Sequence, residues 1–215
     1  MLKLIQINSS STACVIWLHG LGADGHDFEP VVQTLNLPYI QFVLPHAPYR
    51  KITMNNGYEM RAWYDLYDLT LDSKQDEAGI RESQAEIDAI VQQKIKEGIP
   101  AERIAIAGFS QGGAIALFTA TRYRQKLAGV LALSTYLPLS ATLTKEMQAS
   151  NQDTPIFMAH GDFDNVISIQ TSERSRDQLT AQHFHVEWHA YPMAHSVNPQ
   201  EIADIRAFLT RILPK

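Results

Sequence analysis

Gly108-Phe109-Ser110-Gln111-Gly112-Gly113 is the stretch on which the fold turns. The apolar run at 103–107 predicts a strand, and 111–123 behind it predicts a helix, so these six residues bend the chain sharply from one into the other. The pattern is G-x-S-x-G. So tight a turn leaves little room beside the serine, which explains the glycines on both sides. The serine is left at the apex with its hydroxyl exposed. It also lies at a helix N-terminus, where unpaired N–H groups favour a developing negative charge. At ordinary glycine usage the bare pattern arises by chance in roughly one chain in fifteen of this length. The strand before and helix after are what make it a candidate nucleophile.

Outward from this turn, short apolar runs at 13–18, 40–44, 129–134, 155–160 and 183–189 predict further strands. Between them lie stretches of helical period: Phe28, Val31, Val32 and Leu35; a long helix over 76–98, closed by Gly98 and Pro100; a weak one over 169–179; and a last stripe of Ile202, Ile205, Phe208, Leu209 and Ile212. Alternating strands and helices imply βαβ units. The expected class is therefore α/β, with a mostly parallel central sheet and helices on both faces. No repeat, low-complexity tract or linker divides the chain, so residues 1–215 are expected to form a single domain.

Composition removes several classes of function. The 215 residues are 45% hydrophobic and 19% charged, which excludes disorder, collagen and coiled coil. Lys plus Arg number 18 against 23 Asp plus Glu, a net charge of −5, and no basic tract offers a face to nucleic acid. No apolar run reaches the roughly 18 residues a membrane span requires. Residues 1–8 contain no signal-peptide core. A single cysteine, Cys14, cannot form an internal disulfide, so a reducing, cytoplasmic setting is expected. Neither phosphate-binding glycine pattern is present, and nucleotide binding has no support.

In an α/β sheet, ligands bind at the carboxyl ends of strands, so the segments just after each strand are where chemistry is expected. A serine hydroxyl needs a general base, and the base needs an orienting acid; with this elbow the order along the chain is serine, acid, histidine. The 155–160 strand leads into Gly161-Asp162-Phe163-Asp164-Asn165. Either aspartate could serve. Asp164 leads, because Asp162 directly follows Gly161 and suits the first turn after the strand. His183, His185 and His189 alternate along a predicted strand and share a face with Glu187. Three histidines could ligate a metal, but nothing suggests a fourth ligand, so a solvated face is expected and no metal site. His195, in the loop before the last helix, is placed to reach back to Ser110. The strand at 13–18 ends in His19-Gly20-Leu21-Gly22. Its glycines let backbone approach a substrate closely. The expected oxyanion donors are the N–H of Gln111 and that of Leu21, with Gly20 and Gly22 as alternates to Leu21; His19 orients the loop.

These residues, taken together, resemble the acyl-protein thioesterase / phospholipase–carboxylesterase family of small α/β-hydrolases over nearly the whole chain. The resemblance rests on Val15-Ile16-Trp17-Leu18-His19-Gly20-Leu21-Gly22-Ala23-Asp24, Leu44-Pro45-His46-Ala47-Pro48, Met60-Arg61-Ala62-Trp63-Tyr64-Asp65, the elbow, Leu133-Ser134-Thr135-Tyr136-Leu137-Pro138, and His160-Gly161 with Asp164. It implies an α/β-hydrolase fold without a large lid domain. It implies Ser110 as nucleophile, Asp164 rather than Asp162 as acid, His195 as base, and Leu21 and Gln111 as oxyanion donors. It also implies a homodimer. The chain departs from the family at Asn165-Val166-Ile167-Ser168, where many relatives have a proline-containing turn, and at Ala194, often glycine. The segment 67–75 varies in the family and helps shape the acyl groove.

The expected activity is hydrolysis of esters or thioesters of short to medium acyl chains, from small esters to acylated proteins or lysophospholipids, without metal or organic cofactor. Leu66, Leu69, Leu71, Tyr136 and Leu137 are apolar residues outside the predicted elements, suited either to line an acyl groove or to form satellite core under a long loop. Trp63 is expected to be packing. Two other activities compete: a serine hydrolase for lactones or peptides, and a binding protein that keeps the pocket without turnover.

Overall fold

β2 (Ala13–Leu18) is apolar and buried at all six positions, as a strand covered on both faces must be. The structure, a computed structural model, describes residues 2–9, 11–68 and 74–215. β2 is preceded by β1 (Leu4–Ile7) and followed by α1 (Glu29–Leu35) and β3 (Ile40–Pro45). A small hairpin, β4 (Tyr49–Ile52) with β5 (Tyr58–Arg61), leads to α2 (Glu77–Lys96). The remaining units alternate: β6 (Ile104–Phe109), α3 (Gln111–Arg122), β7 (Gly129–Leu133), the short α4 (Leu143–Glu146), β8 (Ile156–Gly161), α5 (Ile169–Ala181), β9 (Val186–Tyr191) and α6 (Pro199–Ile212).

The main sheet runs in the order β1-β3-β2-β6-β7-β8-β9. Every pair is parallel except β1 with β3. One apolar core lies between the sheet and α2, α3 and α5, contributed by Ile80, Ile87, Leu117, Phe118 and Leu179. A second lies between the opposite face and α1 and α6, with Val32, Leu35, Phe208 and Leu209. The expected helices on both faces are thus present.

Local chemistry explains the helix limits. Asp76 caps α2, its carboxylate accepting from the Gly79 N–H at 3.0 Å, and Gly98 follows the helix at a φ of +100°. Asn198 caps α6 by accepting from the Glu201 N–H at 2.8 Å, with Pro199 as its first residue. β1 and the β4–β5 hairpin were not expected from the sequence, because β1 is four residues long and the hairpin is polar and half-exposed. The last strand also differs from expectation. His183 takes a left-handed φ of 65°, and the strand starts only at Val186. His183 and His185 therefore lie outside it, and His189 stacks on Phe157 at 4.4 Å between ring centroids. Phe184, Val186 and Trp188 pack on one core, and His183 and His185 are exposed. Among the described residues, no group of three His, Cys, Asp or Glu side chains could hold a metal, and no helix is long and apolar enough to cross a membrane.

Glu201 yields a pH-dependent expectation. It is fully buried, and neither carboxylate oxygen has a hydrogen-bond partner among the described residues. Burial pushes its carboxyl from 4.5 up to about 8. Over that window the folded chain holds a proton that the unfolded chain releases, so the stability present at acid pH is lost as pH rises through it. Glu201→Gln is expected to melt close to the parent near the acid end of the window and several degrees above it on the alkaline side, by scanning calorimetry across pH. A difference that does not change with pH would contradict the assignment.

Candidate active site

The order of the strands selects the place. From β2 the chain moves to β3 on one side, and from β6 it moves to β7 on the other, so the connections leaving β2 and β6 diverge and open a crevice at their carboxyl ends. Leu18 pairs with Gly108 at the end of the β2–β6 ladder, which sets the His19–Gly22 loop beside the Ser110 turn.

The turn is as tight as its glycines imply. A Cβ on Gly108 would lie 2.3 Å from the Gly112 backbone, and one on Gly112 would lie 2.4 Å from the Leu18 carbonyl oxygen. Ser110 itself has φ 54° and ψ −121°, a strained backbone for a residue with a side chain. Two bonds hold it there. Its N–H donates to the Leu133 carbonyl at 2.8 Å, and the buried Thr135 hydroxyl donates to its carbonyl at 2.7 Å. The Gln111 N–H, in the first turn of α3, has no intrahelical acceptor.

β8 delivers Asp164 and the loop after β9 delivers His195. The His195 Nδ1–H donates to Asp164 Oδ2 at 2.7 Å, which leaves Nε2 as the ring's lone pair. The carboxylate is fully buried. Its other oxygen, Oδ1, accepts from the N–H groups of Val166 (2.9 Å) and Ile167 (3.0 Å). The backbone N–H groups of this segment thus both serve the carboxylate. Asp162 is exposed and does not contact His195. His160, quoted above only as part of a motif, is fully buried 3.3 Å from Asp164 Oδ2; its Nε2–H donates to the Ile167 carbonyl at 2.8 Å, and burial lowers its pKa, keeping it neutral.

On the opposite side, a turn closed by the Ala23 N–H on the Gly20 carbonyl carries Leu21 and Gly22 at its centre, with Gly22 at a φ of +79°. Gly22 donates its N–H to Arg61, so Leu21 keeps the one N–H at the turn's centre without an acceptor among the described residues. His19 orients this loop as expected: Nδ1–H donates to the Gly20 carbonyl at 2.7 Å and Nε2 accepts from the Ala47 N–H at 3.0 Å. Burial lowers its pKa to about 4, so it takes part as a neutral ring.

Leu21, Ser110, Gln111 and His195 line one cavity of about 320 Å³, together with Leu66 and Tyr136. Its walls are mainly apolar. Leu137 does not join them. It is fully buried in the core, and its N–H donates to Ser175 Oγ at 2.9 Å. Leu69 and Leu71 lie outside the described residues. Sequence reasoning missed Asp27, Met54, Tyr64, Val166 and Ile167, which also line the cavity. They come from four separate segments without a shared period; Tyr64 stands in a quoted motif and is hydrogen-bonded hydroxyl to hydroxyl with Tyr136 at 2.9 Å.

Comparison with known proteins agrees with this architecture. Residues 2–213 match the phospholipase/carboxylesterase family profile. The chain is 42% identical to acyl-protein thioesterase 1 of Neurospora crassa, covering 99% of this chain and 91% of that protein. It is 36% identical to acyl-protein thioesterase 1 of Cryptococcus neoformans, over 99% and 98%. The crystal structure of Zea mays acyl-protein thioesterase 2 superposes with a TM-score of 0.89 at 29% identity, covering 99% of each chain. A mostly parallel seven-stranded sheet, helices on both faces and these neighbours define a serine hydrolase of the α/β-hydrolase fold. Within that class, the chain belongs to the phospholipase/carboxylesterase family.

Proposed function

We propose that this protein cleaves carboxylic esters and thioesters by a two-step acyl transfer, with Ser110 as nucleophile, His195 as base and Asp164 as its orienting acid. The observation that carries this reading is the 2.7 Å bond between His195 Nδ1 and the buried Asp164 carboxylate, on an imidazole that shares its cavity with Ser110. His195 Nε2 takes the Ser110 proton as the oxygen attacks the acyl carbon. The resulting oxyanion accepts from the N–H groups of Leu21 and Gln111. Collapse expels the alcohol or thiol, which takes the proton back from the imidazolium. Water then attacks the acyl-serine, with His195 again as base, and releases the acid. Each step balances without a metal or organic cofactor.

Leu66 and Tyr136 help form the acyl wall, and the cavity suits short to medium chains. The thioesterase names of the fungal relatives favour an acylated protein as one substrate, with a cysteine thiol as leaving group. Cys14 takes no part, since it is buried and its thiol is pushed up to about 12. Intact-mass labelling with a fluorophosphonate tests the assignment. One adduct per wild-type chain and none on Ser110→Ala is expected; labelling that survives the substitution would refute it.

A further inference from the structure

Residues 61–64, running from the last residue of β5 toward α2, touch both sides of the crevice. Toward the glycine loop, the Arg61 carbonyl accepts from the Gly22 N–H at 2.9 Å, and the Trp63 indole N–H donates to the His19 carbonyl at 2.9 Å. Toward the elbow, the Trp63 backbone N–H donates to Gln111 Oε1 at 2.8 Å, and Gln111 Nε2 donates to the Tyr64 carbonyl at 2.7 Å. Trp63 and Gln111 are 0% and 3% exposed, so these bonds are shielded from water. The Trp63 carbonyl accepts from Ser83 Oγ, which anchors the segment on α2.

This arrangement bears on the distance between two N–H groups. Leu21 lies between His19 and Gly22, and the second donor is the Gln111 backbone N–H. The β2–β6 ladder ends at Leu18 and Gly108, which brings the two loops side by side but leaves both N–H groups three residues beyond its last pair. The two sides also touch directly, since a Cβ on Gly112 would lie 2.5 Å from the His19 carbonyl oxygen, but the hydrogen bonds that join them run through the 61–64 segment. Trp63 contributes to both of its sides, yet it does not line the cavity, so any effect it has on chemistry passes through other residues.

We propose that Trp63 is a positioning residue, a strut that fixes the spacing between the Leu21 and Gln111 N–H groups. The proposal rests on those groups serving as oxyanion donors in the mechanism above. Such donors act only when preorganised at hydrogen-bonding distance from the oxygen of the tetrahedral intermediate. The Gln111 side chain belongs to the strut, which accounts for a buried glutamine directly after the serine.

Trp63→Phe keeps an aromatic ring and the backbone bond to Gln111 but removes the indole N–H. Gln111→Met removes both side-chain bonds and keeps the backbone N–H, so it preserves the test should the first variant fold poorly. Active sites are counted by fluorophosphonate titration. Either variant is expected to lose about 10- to 100-fold in kcat per titrated site on p-nitrophenyl butyrate, with KM changed by no more than about twofold. Affinity for a trifluoromethyl ketone, which forms a tetrahedral adduct, is expected to fall by a similar factor. A purely structural role would lower the melting temperature and the titratable fraction while leaving kcat per site and ketone affinity unchanged, and that result in a folded variant overturns the proposal. Failure of the wild type to titrate at Ser110 would instead overturn the underlying mechanism.

Discussion

Ser110→Ala is expected to lower kcat on p-nitrophenyl butyrate by a factor on the order of 10⁴ to 10⁶ while the protein stays folded. Alanine removes the attacking oxygen and little else. The Ser110 backbone remains held by Leu133 and Thr135, and the loss of one oxygen does not alter the close approach of Gly108 and Gly112. The Leu21 and Gln111 N–H groups and the apolar walls persist, so a residual rate above that in water is expected from binding and oxyanion stabilisation. KM should change little. A variant retaining more than about a tenth of wild-type kcat would show that the acyl group is not carried on Ser110, since removing a nucleophile costs far more.

The second large effect separates two aspartates that lie two residues apart. Asp164→Asn is expected to cost roughly 10⁴-fold in kcat, because the wrong histidine tautomer results. The geometry gives the reason. The N–H groups of Val166 and Ile167 both point at Oδ1, so an asparagine places its carbonyl oxygen there. Its amide N–H then faces His195 Nδ1, which must become an acceptor. The ring proton moves to Nε2, and the lone pair that would take the serine proton is gone. Asp162→Asn, exposed and away from His195, should leave kcat within a few-fold. Equal, modest losses in the two variants would refute the assignment of either one as the acid.

Parts of the site were legible in the residues because their chemistry is local. The elbow needs two glycines, because a Cβ at Gly108 or Gly112 would run into neighbouring backbone. The buried runs of β2, β3, β6, β7 and β8 are long enough to announce a sheet. Strands whose stability comes from a partner were not legible. β1 is held by its antiparallel register with β3, from Leu4 opposite Pro45 to Ile7 opposite Phe42, and its own four residues carry too short a pattern. β9 starts at Val186 rather than at 183, because the left-handed backbone at His183 does not continue a strand. Leu137 and Tyr136 illustrate the same limit on a smaller scale. Neighbouring apolar residues part company, one into the core and one onto the cavity wall, according to what packs around them.

The amino-acid sequence by itself determined the strand–helix alternation, the sharp serine turn and the order in which serine, acid and histidine appear, because each depends on contacts within a few residues or on periodicity along the chain. Only the tertiary structure decided that Trp63 and Gln111 bridge the crevice and which apolar residues face the cavity. Those outcomes depend on distances between segments tens of residues apart. Such distances are set by sheet register and by the packing of whole elements.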